Sequence, residues 1–186
     1  MITHRNLTDY VYGLFSKIDI ASCKSFGLMS TLSADLGNTV LYGALLSGGT
    51  LHLFTKDTLR NVPLMQDYFK KESIDCIKIV PSYWKALEMD HKPLLPKKLI
   101  VFGGEELSVK MVEKIKSVNE NLKIVNHYGP TETTIGKLLH EVDHQTKYTT
   151  IPIGQPFSDT EAYIVDKDLN LCPVGVAGEV LSLIHI

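Results

Sequence analysis

Short apolar runs recur along the chain, and most are separated by stretches with helical spacing. Residues 6–15 predict a helix with Asn6 or Thr8 as its cap and Leu7, Tyr10, Val11 and Leu14 on one face. Residues 25–32 are apolar and suit a strand, and a polar SADLGNT segment separates them from a small-residue helix at 40–46. Gly48-Gly49 closes that helix, and a strand at 50–54 and an amphipathic helix at 63–71 follow. The pattern then repeats. A strand at 76–80 precedes a helix opened by Pro81-Ser82 and carrying Tyr83, Trp84 and Leu87. A strand at 99–102 precedes Gly103-Gly104-Glu105-Glu106 and a helix at 108–118, with Val109, Val112 and Ile115 facing one way. Residues 123–125 predict another short buried strand, which runs into NHYGPTETTIG at 126–136. Beyond residue 142 the segments shorten: 153–156, a strand at 162–165, a turn at 166–170 and the segment 178–180.

Strand and helix alternate four times between residues 25 and 125, which predicts an α/β fold with a mostly parallel sheet, crossover helices and a β-rich C-terminal end. Ligands of such sheets bind beyond the strands' carboxyl ends, where NHYGPTETTIG falls. Gly129-Pro130 stops regular structure there. Two other positions stand out. Asp35 lies at a strand-to-helix junction, where it or Asn38 caps the helix, or where Asp35 meets a ligand. Lys78 is a cation inside an apolar strand, which calls for either an edge position that lets it snorkel or a pocket holding an anion.

Composition narrows the ligand. With 44% hydrophobic and 22% charged residues the chain is ordinary globular protein, and 19 Lys and Arg against 21 Asp and Glu leave no basic field for nucleic acid or lipid. A small molecule is the expected partner. Cys23, Cys76 and Cys172 lack paired spacing, so plain thiols in a reducing cytoplasm are expected. No apolar run approaches the roughly 18 residues of a membrane span, and the N-terminus lacks a signal peptide's apolar core.

The segments THRNL at 3–7, NHYGPTETT at 126–134, IGQP at 153–156 and GVAGE at 175–179, in that order, resemble the adenylation domains of nonribosomal peptide synthetases. These are adenylate-forming enzymes, related to acyl-CoA synthetases and luciferases. The resemblance implies that residues 1–180 are the middle of a large N-terminal subdomain. The family's phosphate loop would then lie upstream, and its ribose-binding aspartate, hinge and C-terminal lid with the catalytic lysine downstream. Residues 181–186, LSLIHI, depart from the family and equal the in-frame translation of a common transposase adapter, so non-native read-through is expected there.

The implied reaction joins a carboxylate to ATP as an acyl adenylate, releases pyrophosphate and passes the acyl group to a carrier protein's phosphopantetheine thiol. By resemblance, Thr131 contacts the α-phosphate and Glu132 holds Mg²⁺, an oxygen-seeking ion. Tyr128 and the backbone of Gly103, Gly104 and Glu105 sandwich adenine, with Gly129 in the turn and Asn126 on the exocyclic amine. Asp35 pairs with the substrate's α-ammonium. Leu36, Thr39, Lys78, Val101, Gly103, His127, Ile135 and Gly136 fall on the remaining lining positions. The series D-L-T-K-V-G-H-I-G resembles the signature of aspartate activation. Lys78 and His127 would hold the second carboxylate, while Val101 and Ile135 limit its length. Condensation domains and a peptidyl carrier protein are the implied partners. An acyl-CoA synthetase-like ligase and an inactive nucleotide-binding remnant are the alternatives, and the 186 residues by themselves are expected to be inactive.

Overall fold

The computed structural model describes residues 1–143 and 145–181. Seven strands form one sheet in the order β2-β1-β3-β4-β5-β6-β7. They are β1 (Ser25–Leu28), β2 (Thr50–Leu53), β3 (Cys76–Ile79), β4 (Leu99–Gly103), β5 (Lys123–Tyr128), β6 (Leu138–Glu141) and β7 (Gln155–Pro156). The first five run parallel, β6 pairs antiparallel with β5, and β7 pairs antiparallel with β6. A separate hairpin pairs β8 (Ile164–Val165) with β9 (Glu179–Val180).

Every residue of β3 and β4 is buried. A parallel strand covered on both faces needs a near-continuous apolar run, which Lys78 interrupts in β3. Successive side chains alternate between the faces, and each face has its own core. Ile77, Ile79, Ile100, Phe102 and Ile124 pack on one side with Met65, Trp84, Val112 and Ile115. These come from α4 (Val62–Lys71), α5 (Pro81–Ala86) and α6 (Val109–Val118). Cys76, Leu99, Val101 and Val125 pack on the other side with Tyr10, Leu14, Val40 and Ala44, from α1 (His4–Lys17) and α2 (Asn38–Ser47).

Several boundaries differ from the sequence reading. The first helix starts earlier because Thr3 is its cap: Thr3 Oγ1 accepts from the Asn6 N–H, and Asn6 Oδ1 accepts from the Thr3 N–H. Asn6 thus closes a capping box instead of opening the helix. Strand β1 stops at Leu28, and a short helix, α3 (Lys56–Arg60), precedes α4 under its own cap, Thr55. Neither Asp35 nor Asn38 caps α2, which continues from a 3₁₀ turn at Asp35–Gly37 with no side-chain cap. The edge-strand reading of Lys78 also fails, since β3 lies between β1 and β4. Residues 182–186 of the proposed read-through lie outside the described residues.

Candidate functional site

Beyond β5 the chain makes a 3₁₀ turn at Thr131–Thr133 and returns into β6, tied by the Lys137 N–H donating to the Tyr128 carbonyl at 2.9 Å. Gly129 and Gly136 meet across the base of this loop. Both have φ near +155°, and a Cβ on Gly129 would sit 2.5 Å from the Gly136 Cα. Between them Thr134 and Ile135 hold φ of 75° and 66°. Left-handed backbone at two successive β-branched residues costs on the order of 1–3 kcal/mol each, so the surrounding contacts must enforce it. Thr133 and Thr134 donate to the carbonyls of Pro130 and Thr131, both at 3.0 Å, and Thr134 and Ile135 are buried.

An open cleft of about 460 Å³ lies beside this loop, lined by Gly104, Glu105, Leu107, Asn126, Tyr128 and Pro130 among others. Asn126 Nδ2 donates to the Pro152 carbonyl at 2.8 Å, which leaves Oδ1 as the atom able to accept from an amine. Tyr128 is 41% exposed and gives the cleft an accessible aromatic face. The Glu105 side chain is committed elsewhere. Its carboxylate accepts from the Ser82 hydroxyl at 2.7 Å and the Ser82 N–H at 2.8 Å, which holds its pKa below the ordinary range and caps α5. Only the backbone of Glu105 remains for a flat ligand.

The opposite face of β5 carries a sealed polar cluster. Lys78 is 1% exposed and lies level with Val101 on β4. Its Nζ donates to Thr39 Oγ1 and to His127 Nδ1, each at 2.9 Å. A charged amine can only donate, so opposite the ammonium Nδ1 accepts and the ring proton belongs on Nε2. That atom is buried without a hydrogen-bond partner. Gly103 and Gly136 make room for the cluster: a Cβ on Gly103 would approach Lys78 Cε at 3.2 Å, and one on Gly136 would strike His127 Cε1 at 2.5 Å. Burial brings the Lys78 pKa down to about 7, and the Asp35 charge opposes that shift. Burial first, and then the Lys78 charge, push His127 well below its ordinary value.

Asp35 is half-buried and lines a second cleft, of about 370 Å³, with Asn38, Tyr42, Thr131, Thr134 and Ile135. Leu36 lies over Gly104. Glu132 is exposed on the 3₁₀ turn and lines neither cleft. The fold therefore brings Lys78, Thr39, Gly103, His127 and Gly136 into contact and keeps Glu132 apart from them. The sequence reading treated Tyr10 only as a packing residue. Here it is fully buried, with its hydroxyl 2.6 Å from Thr39 Oγ1 and its ring edge-on to His127 at 5.8 Å. The available signal was a tyrosine on an otherwise aliphatic helix face, whose hydroxyl needs a partner once buried.

The family model for AMP-binding enzymes matches residues 1–182. Bacitracin synthase 3 of Bacillus licheniformis is 33% identical over 186 residues, which is 96% of this chain and 3% of that protein. Surfactin synthase subunit 2 of Bacillus subtilis (strain 168) is 32% identical over 191 residues, covering 96% of this chain and 5% of the relative. Among solved structures, holo-PA1221, a nonribosomal peptide synthetase protein containing adenylation and PCP domains, matches with a TM-score of 0.72 at 26% identity. The match covers 85% of this chain and 28% of that one. The fold also matches holo-AB3403, a four-domain synthetase bound to AMP and glycine, with a TM-score of 0.83 at 24% identity, over 96% of this chain and 13% of that one.

Proposed function

The chain belongs to the AMP-binding enzyme family, and on that premise we propose that it is part of an amino-acid-adenylating domain of a nonribosomal peptide synthetase that selects aspartate. The chain spans 3% and 5% of the two curated relatives' lengths, so the activity is assigned to a polypeptide that also supplies a phosphate loop and a lid. The supporting observation is the 2.9 Å contact between Lys78 and His127 in a sealed cluster whose other polar partner to the amine is a neutral hydroxyl. Such a pair suits an anion, and its attraction gains from the low dielectric around it.

In this reading the substrate's α-carboxylate oxygen attacks the α-phosphorus of ATP. The bond from that phosphorus to the bridging oxygen breaks, and pyrophosphate leaves with the electron pair. Asp35 holds the α-ammonium, and Thr131, in the same cleft, holds a phosphate oxygen. Asn126 and Tyr128 hold the base in the neighbouring cleft. Glu132 is one exposed carboxylate, and the described residues contain no group of three or more metal-binding side chains. One carboxylate would suit Mg²⁺, an oxygen-seeking ion, which would supply neutralising charge at the phosphates. The thiol of a carrier protein's phosphopantetheine then attacks the acyl carbon, the acyl–oxygen bond to the phosphate breaks, and AMP leaves with the electron pair as the thioester forms.

Amino-acid-dependent ATP–pyrophosphate exchange by the complete synthetase tests the proposal. Aspartate should lead. Glutamate should trail by roughly 10–200-fold, the worth of one methylene, and asparagine should be rejected because an amide leaves Lys78 unpaired. Exchange led by another amino acid, or acyl-CoA formation alone, would overturn it. His127→Glu should repel a carboxylate and move the preference toward asparagine, and an unchanged Asp to Asn ratio would remove His127 from the selecting set.

A further inference from the structure

We infer that Tyr10, on α1 and outside the selecting positions named above, is a positioning residue that holds Thr39, and through it Lys78, in place to receive a side-chain carboxylate. The inference rests on the aspartate reading and extends it. Tyr10 meets His127 directly and Lys78 through Thr39: its hydroxyl is bonded to Thr39 Oγ1, which accepts from Lys78 Nζ, while its ring edge meets the imidazole of His127. Packing alone does not require this. A phenylalanine would fill the same space against Phe157, whose ring centre lies 5.9 Å away. The 2.6 Å bond to a hydroxyl already engaged by an amine is the added feature.

The neutrality of the anchors is what makes the arrangement useful for binding. Burial pushes the Tyr10 phenol far above its ordinary pKa, so it stays an O–H at any working pH. Lys78 is thus held by a hydroxyl and an imidazole, behind which stands a phenol, and the groups facing it from the packed elements are Tyr10, Asp35, Thr39, Cys76 and His127. An acidic anchor would neutralise the ammonium inside the protein and compete with the ligand. A chain of neutral groups fixes the ammonium's position and, apart from the field of Asp35, leaves its charge for the ligand.

The test is Tyr10→Phe in the complete synthetase, assayed by ATP–pyrophosphate exchange. The KM for aspartate should rise about three- to tenfold, the worth of one hydrogen bond, while kcat and the KM for ATP stay within about twofold. Thr39→Val should have a similar effect, and the double variant should be no worse than the poorer single. Thr39→Ser, which keeps the hydroxyl, should restore the wild-type KM and also serves as the readout if Tyr10→Phe does not fold. An unchanged aspartate KM in Tyr10→Phe, additive losses in the double variant, or a Thr39→Ser variant as weak as Thr39→Val would overturn the inference. Wild-type enzyme that ignores aspartate would remove the substrate reading and this inference together, whereas aspartate-active enzyme indifferent to Tyr10→Phe removes this inference alone.

Discussion

Asn126 and His127 are consecutive in β5 and both border the open cleft of about 460 Å³, yet His127 is 2% exposed and its ring lies in the sealed cluster with Lys78. The cleft is built from backbone, an aromatic face and a side-chain amide, groups that bind by shape and single hydrogen bonds. The cluster is built from ionisable groups whose solvation has been removed, where each missing partner is expensive. Substitutions in the cleft should therefore act gently on nucleotide binding, and substitutions in the cluster should act severely on amino-acid choice.

The sharpest break is Lys78→Met. Truncating one partner of a buried charged pair costs about 2–5 kcal/mol of binding, so kcat/KM for aspartate should fall by roughly two orders of magnitude or more, with the KM for ATP little changed. An equal rise in both constants would show that the two faces are not separate. The second effect is a pH dependence carried by the same amine, whose pKa of about 7 lies below the ordinary lysine value of 10.5. Below pH 7 the group is already charged, and binding a carboxylate requires no proton. Above pH 7 a proton must be taken up with the ligand, so the apparent Kd for aspartate should rise by up to about tenfold per pH unit until the pKa of the complex is reached. Calorimetry of aspartate binding in buffers of different ionisation enthalpy should show that uptake, and Lys78→Met should abolish it.

A third effect lies at the hinge between the faces. Gly136→Ala would drive a methyl into the His127 ring and strain the left-handed backbone, destabilising the protein by about 2–3 kcal/mol, read as a lowered denaturant midpoint. The mildest is Asn126→Ala. Losing the tie to Pro152 should raise the KM for ATP about threefold to tenfold and leave the aspartate KM unchanged. Movement of the aspartate constant instead would place Asn126 on the selecting side.

The alternating pattern made the sheet legible in sequence because each parallel strand must bury both faces, and β3, β4 and β5 appear close to where their apolar runs lie. Lys78 announced itself for the same reason, as a cation in such a run. Pairwise geometry was not legible. That Lys78 Nζ reaches His127 Nδ1 depends on β3, β4 and β5 being neighbours in register, a relation between residues 49 positions apart. Tyr10 was hidden behind a correct reading, since its place on the apolar face of α1 is real and its hydroxyl's partner lies on another helix. Thr3 was missed as a cap because Asn6 and Thr8 offered equally suitable side chains a turn later. Asp35 and Asn38 were plausible caps by type, yet the 3₁₀ turn delivers the chain into α2 already helical, with φ and ψ of −67° and −21° at Gly37.

The pleat of β5 also bears on how such a protein changes over time. A strand that turns alternate side chains to opposite sides acts as a partition, so one compartment can be refurnished while the other keeps its fittings. On the proposed reading, replacing His127, Lys78 or Thr39 would alter what the sealed room accepts without moving Asn126 or Tyr128. Inserting one residue into the strand would exchange the tenants of both rooms at once. Descent by point substitution can explore new substrates on this scaffold, whereas descent by insertion within β5 cannot.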